Sequence, residues 1–219
     1  MSILDLGAGL GGPARIWSKS SVCGSLAAKF PRNWPALEWT CPSPPAWPNK
    51  APIEHLDALA PDLAAKKYNV VFAFDTFCRV EDKNAFIDAI VASLKPKAQV
   101  IFRDLVAGEG TDSDDAMKQW KNIESQPVHL WTVDEYTDAL TSRGLSIGLS
   151  PLDLTDDYCE RVINGWWKAQ RQLIDLKRAG GADPNLLKAL GREVELWTLR
   201  TKALQSGALA VYRVYGDRK

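Results

Sequence analysis

Ile3-Leu4-Asp5-Leu6-Gly7-Ala8-Gly9-Leu10-Gly11-Gly12-Pro13-Ala14-Arg15 reads, in one short run, as a strand, a glycine turn and the start of a helix. The apolar residues before Gly7 suit a buried parallel strand, and the glycines suit a tight turn. Pro13 falls where a helix begins, because a first turn needs no N–H from it. Together these pieces make a cradle in which backbone approaches a ligand closely. Gly7, Gly9 and Gly12 satisfy the G-x-G-x-x-G spacing of dinucleotide folds, a weak signal alone. Asp5 would repel a bound pyrophosphate, and no Asp or Glu occurs between Leu6 and Leu37. A nicotinamide site expects its ribose-binding acid within that interval, about 20 residues on. A nicotinamide cofactor is therefore disfavoured. A glycine turn without a ligand is the plainer alternative.

The D-x-G-x-G run at Asp5 to Gly9 resembles the first motif of class I S-adenosylmethionine-dependent methyltransferases of the small-molecule type. The resemblance implies that Asp5, Gly7, Ala8, Gly9 and Gly11 hold S-adenosylmethionine, with the acid fixing the loop and the cofactor's ammonium. Ile53-Glu54-His55-Leu56-Asp57-Ala58 is similar to the third-strand motif, which sets Asp57 on the adenine amine and Ala58 near the ring. A solvated loop Asp is the competing reading of Asp57. Tyr68-Asn69-Val70-Val71-Phe72-Ala73-Phe74-Asp75-Thr76-Phe77 looks like the fourth motif. There Phe74 and Asp75 would face the sulfonium, and Phe77 the acceptor. The departure lies between. Val22 to Leu26 is the expected second strand, yet no acid ends it, and Glu38 comes late. The missing carboxylate implies a weaker hold on the cofactor's ribose. The Pro- and Trp-rich run from Ser20 to Pro52 resists both helix and central strand. Family members also usually carry covering helices before the first strand. Here the first strand follows Met1, which implies a truncated version, a cover supplied by a partner, or a more open site.

Composition excludes several classes. At 219 residues, 46% hydrophobic and 25% charged, the chain suits one globular domain spanning residues 1–219. Basic and acidic residues balance at 27 each, so no net field draws it to nucleic acid or an anionic membrane. Cys23, Cys41, Cys78 and Cys159 form no C-x-x-C, and with two histidines no zinc framework is expected. Reduced thiols, no signal peptide and no spanning segment point to the cytoplasm and to no membrane partner.

Further along, Pro13 to Lys19 reads as a short helix, and Asp82 caps another carrying Phe86, Ile87, Ile90 and Leu94. Lys95-Pro96-Lys97 is expected to end it, with Gln99 to Arg103 returning as a strand closed by Asp104. A helix follows the Gly108–Asp115 loop and carries Met117 and Trp120. Thr132 and Glu135 form a capping-box pattern ahead of Tyr136, Ala139 and Leu140, with Gly144 as the stop. Leu145 to Leu152 reads as the next strand. Asp156 to Arg178 and the helix capped by Asp183-Pro184 form a helical excursion over 155–206, each with an apolar stripe. Tyr158, Val162, Trp166, Ala169, Leu173 and Leu176 mark the first; Leu187, Leu190, Val194, Trp197 and Leu204 mark the second. Leu209 to Tyr215 is the last strand. The expected fold is α/β and Rossmann-like. A mostly parallel sheet carries helices on both faces and a helical insertion before its last strand.

Methyl transfer from a sulfonium is an in-line displacement governed by alignment, which supplies about 7–11 kcal/mol through near-attack geometry. A base is needed only for an alcohol, phenol or ammonium acceptor. Histidine accepts a proton most cheaply near neutrality, so His129 is the first candidate, with Asp75 and Asp104 behind it. The nine tryptophans allow an aromatic cage for an amine or a slot for a planar acceptor. Trp131 and Trp166 stand with Phe77 as substrate-binding candidates. Trp166, Trp167 and Trp197 suit a cover over substrate, or a simple seal of helices onto the sheet. The expected activity is methylation of a small molecule with S-adenosylmethionine, with a homodimer mate or partner chain covering the site. The competing reading is a weak or inactive subunit that keeps the fold and acts through a partner.

Overall fold

Val70–Phe74, an unbroken apolar run, forms the inner part of β4 (Tyr68–Phe74), which lies between β1 (Ser2–Leu6) and β5 (Leu94–Ala107). The structure, a computed structural model, describes residues 1–7, 24–29, 53–55, 63, 65–178 and 183–219. The Pro13–Lys19 helix, most of the Pro- and Trp-rich run and the Gly180-Gly181 stop lie outside the described residues. β1 pairs in parallel with β4 and with β2 (Gly24–Lys29), β2 with β3 (Ile53–His55), and β4 with β5. The remaining strands are β6 (Leu145–Ser146), β7 (Leu152–Asp153) and β8 (Leu209–Arg218). The sheet runs β3-β2-β1-β4-β5-β8-β6, with β7 beside β8, and β6 pairs antiparallel with β8. This is the mostly parallel α/β sheet the sequence predicts.

Among the described residues the α-helices are α1 (Lys83–Ser93), α2 (Asp115–Ile123), α3 (Val133–Thr141), α4 (Thr155–Arg178) and α5 (Pro184–Gln205). Three begin on an Asp side chain that accepts from a free backbone N–H of the first turn. Asp82 accepts from Ala85 at 2.9 Å, Asp114 from Met117 at 2.7 Å and Asp183 from Asn185 at 2.9 Å. Each such cap contributes about 1 kcal/mol. α4 and α5 are the predicted excursion before the last strand.

Several boundaries differ from the sequence reading. The second strand is described over Gly24–Lys29 and continues past the expected end at Leu26, while Val22 and Cys23 lie outside the described residues. Leu94 does not extend α1; it opens β5, so Lys95-Pro96-Lys97 sits inside a strand as an irregularity. Tyr68 faces Leu94 while Val70 faces Gln99, and Lys97 takes φ +60°. Pro96 lacks an N–H for the ladder, and the extra residues bulge out. The predicted strand at Leu145–Leu152 is two short strands, β6 and β7, because Gly148 and Pro151 interrupt it.

The chain divides into two compact units interleaved in sequence. The first comprises residues 1–104, 133–152 and 213–219, and the second 105–132 and 153–212. In the first, Leu4, Leu6, Val71, Phe86, Ile87, Ile90, Phe102 and Tyr136 are fully buried. In the second, Met117, Trp120, Leu196, Ala203, Leu209 and Val211 form the core. α4 is buried at Cys159 alone among its described side chains, and Val194 on α5 is exposed despite its place on the apolar stripe.

Candidate active site

In the first unit, β1 and β4 end side by side, with Asp5 in register with Phe72 and Leu6 with Ala73. Asp5 is only 3% exposed, and its Oδ2 meets no hydrogen-bond donor among the described residues. Burial raises its pKa to about 6, because removing a carboxylate from water disfavours its charge. Gly7 follows with φ +71°, a conformation that favours glycine. A Cβ there would lie 2.0 Å from Thr76 Oγ1. Thr76 Oγ1 is 2.8 Å from the Phe74 carbonyl and 3.1 Å from the Leu6 carbonyl, so its single proton serves the ends of both strands.

Beyond Phe74 the backbone turns sharply. Asp75 takes φ +50° and donates its N–H to Arg103 O at 2.8 Å. Its Oδ2 receives Arg103 Nη2 at 2.7 Å, and the guanidinium carbon lies 4.6 Å from the centre of the Phe74 ring. Both charged side chains remain partly exposed at this edge. In open α/β sheets, the carboxyl ends of the strands are where ligands bind.

Asp104 lies entirely inside. Its Oδ2 accepts from the N–H groups of Thr76 and Phe77 at 2.8 and 2.5 Å, and Oδ1 from Cys78 at 3.1 Å. Its pKa rises to about 6, with burial as the main cause and Asp75 adding to it. A carboxylate so enclosed and so occupied does not reach an acceptor. The expectation of Asp104 as a base is therefore corrected: its work is to hold the turn after β4. Phe77 is corrected too. Its ring is buried, with centroids 5.4 Å from Phe86, 4.9 Å from Phe102 and 5.7 Å from Tyr136. It is core, not an acceptor contact. Nearby, Lys83 is buried with Nζ 2.8 Å from Val80 O, and burial lowers its pKa to about 8 against the opposing pull of Asp104.

The first unit thus brings together Asp5, Gly7, Phe74, Asp75 and Asp104, all singled out in the sequence. Ala8, Gly9, Gly11, Asp57 and Ala58 lie outside the described residues. His129, Trp131 and Trp166 belong to the second unit. His129 and Trp131 are half-buried in the loop after α2, where the Trp131 carbonyl accepts from Ala107 N at 2.9 Å. Trp166 lines an open groove between α4 and α5, of about 450 Å³, with Val162, Leu173, Val194, Trp197 and Thr201. Sequence reasoning gave no role to Thr76, Arg103 or Lys83. Thr76 and Arg103 each adjoin a residue it did single out, Asp75 and Asp104, and strand-end position was the available signal.

A buried acid ahead of a positive-φ glycine thus lies at the carboxyl edge of a mostly parallel sheet, where open α/β folds bind ligands. Residues 1–148 match the methyltransferase-domain family, and the chain belongs to that family. An O-methyltransferase of Pyrenophora dematioidea is 24% identical over 98 residues, covering 45% of this chain and 36% of that protein. The fold matches phosphoethanolamine N-methyltransferase 2 of Haemonchus contortus in complex with S-adenosyl-L-methionine. The TM-score there is 0.79 and the identity 16%, over 100% of this chain and 48% of that one. The cyclopropane synthase MmaA2 of Mycobacterium tuberculosis matches with a TM-score of 0.76 and 14% identity, over 100% of this chain and 78% of that one. The chain thus spans about half the length, or less, of the first two proteins. The described residues fit such a cofactor: the orphaned Oδ2 of Asp5 is a ready acceptor for an ammonium. Among the described residues, no helix is long and apolar enough to cross a membrane.

Proposed function

We propose that the protein transfers a methyl group from S-adenosylmethionine to a small-molecule acceptor. The observation that carries this reading is Asp5, a buried carboxylate with an oxygen unmatched among the described residues, two places before the positive-φ Gly7 at the end of β1. A buried acceptor without a donor is costly, and a ligand ammonium would remove that cost. When bound, the cofactor supplies an electrophilic methyl on a sulfonium. On this reading Asp5 and Gly7, with Ala8, Gly9 and Gly11, hold its amino-acid end and ribose. Asp57 and Ala58 meet the adenine, and Phe74 and Asp75 flank the reacting centre.

The protein's remaining task is alignment of the acceptor. Asp75, partly exposed and tied to Arg103, is the proton acceptor within the first unit, and His129 is the candidate in the second. Trp131 and Trp166 contact the acceptor. The protein works in the cytoplasm, on neither nucleic acid nor membrane, and a second copy or partner chain covers the site. Titration calorimetry with S-adenosylmethionine and S-adenosylhomocysteine tests the cofactor site. Micromolar binding that Asp5→Ala abolishes is the expected result; no binding up to millimolar, or binding indifferent to Asp5→Ala, overturns it.

A further inference from the structure

We propose that Asp104 and Thr76 are positioning residues for the cofactor turn: Asp104 gathers the backbone N–H groups after β4, and the turn so fixed sets the Thr76 hydroxyl against β1 at its passage into Gly7. The inference rests on the reading that S-adenosylmethionine binds over the end of β1.

Three backbone donors converge on one carboxylate. Thr76 and Phe77 share Oδ2 and Cys78 takes Oδ1, so both oxygens are engaged by a turn that belongs to another strand. An Asn in that place offers one oxygen and would aim its NH₂ at a donor. Asp75, just before the turn, has φ +50°, a conformation uncommon for residues other than glycine though more accessible to Asp than to most, and the hold from Asp104 supports it.

Once held, the turn places Thr76 Oγ1 between the carbonyls of Phe74 and Leu6. The hydroxyl fills the space that a side chain at Gly7 would occupy, 2.0 Å from where its Cβ would stand. The direction in which the chain leaves β1 is therefore set by Thr76 from one side and by the glycine conformation from within. The Thr76 hydroxyl is engaged by two strand carbonyls and the Asp104 carboxylate by three backbone N–H groups, so neither has a polar atom left to offer a ligand. Their influence passes through the backbone, and it falls on cofactor affinity.

The test compares wild type, Thr76→Val, Thr76→Ser and Asp104→Asn by calorimetry with S-adenosylmethionine, alongside thermal melting. Thr76→Val keeps the shape and loses the hydroxyl; its affinity is expected to fall about tenfold or more while it still melts cooperatively. Thr76→Ser restores the hydroxyl and is expected to bind within about twofold of wild type, a rescue that a packing role does not give. Asp104→Asn is expected to weaken binding at least as much as Thr76→Val. Where Thr76→Val fails to fold, Thr76→Ala carries the same expectation. Wild-type affinity in Thr76→Val or Thr76→Ala, or a tenfold loss in Thr76→Ser, overturns the proposal. Absence of binding by wild type, or indifference to Asp5→Ala, overturns instead the placement of the cofactor on which it rests.

Discussion

Asp5 and Asp104 are two buried carboxyls close to the same turn, and burial raises both from 3.8 to about 6. Between those values the folded chain binds protons that the unfolded chain releases. The stability they contribute is therefore full below pH about 4 and lost as pH rises through about 6. Each tenfold difference in proton affinity between the two states is worth about 1.4 kcal/mol. Urea denaturation of the ligand-free protein is expected to give a lower midpoint at pH 7 than at pH 5. Asp5→Asn should shrink that difference, since an amide does not titrate. Equal midpoints at both values in the wild type would show that neither carboxyl is buried as described. The two acids differ in what surrounds them. Asp104 is matched by three N–H groups, whereas Asp5 keeps an oxygen unmatched among the described residues.

Among the elements, the second unit is clamped by one buried ion pair. Glu124 at the end of α2 meets Arg200 of α5, and Trp120 Nε1 donates to the same carboxylate at 2.7 Å. The guanidinium also lies 4.3 Å from the centre of the Trp197 ring and 5.2 Å from that of Trp120. Removing one partner strands a buried charge, which costs about 3–5 kcal/mol, whereas removing both does not. Glu124→Gln and Arg200→Met are each expected to lose about that much in chemical denaturation. The double variant should lose clearly less than the sum. Additive losses would mean that the two side chains are not coupled. This clamp was not legible beforehand. The two residues are 76 positions apart, and each reads singly as a solvated helix charge.

Across the full chain, the two units share strands: β5 passes from the first into the second at Asp104–Leu105, and β8 returns at Tyr212–Arg213. Loss of either unit strips the other of strand length that it needs. Equilibrium unfolding is therefore expected as one transition, with near- and far-ultraviolet circular dichroism coinciding. Two resolved transitions would show that each unit stands alone.

Short-range physics accounts for everything that could be read along the chain. The apolar run of β4, the glycine at position 7 that ends β1, the Asp caps of α1 and α5 and the helical pair before β8 were each readable within a window of a few turns. What the strand-end side chains touch was decided by packing in three dimensions. Phe77 and Asp104 look like ligand contacts in sequence because strand ends usually carry them. The adjacency of β4 and β5 instead turns Phe77 into the core and wraps Asp104 in backbone N–H groups. Thr76 meets Leu6 across 70 residues. Local periodicity carries no information about such a pairing, because it depends on which strands become neighbours, and that follows from how the whole chain buries its apolar surface.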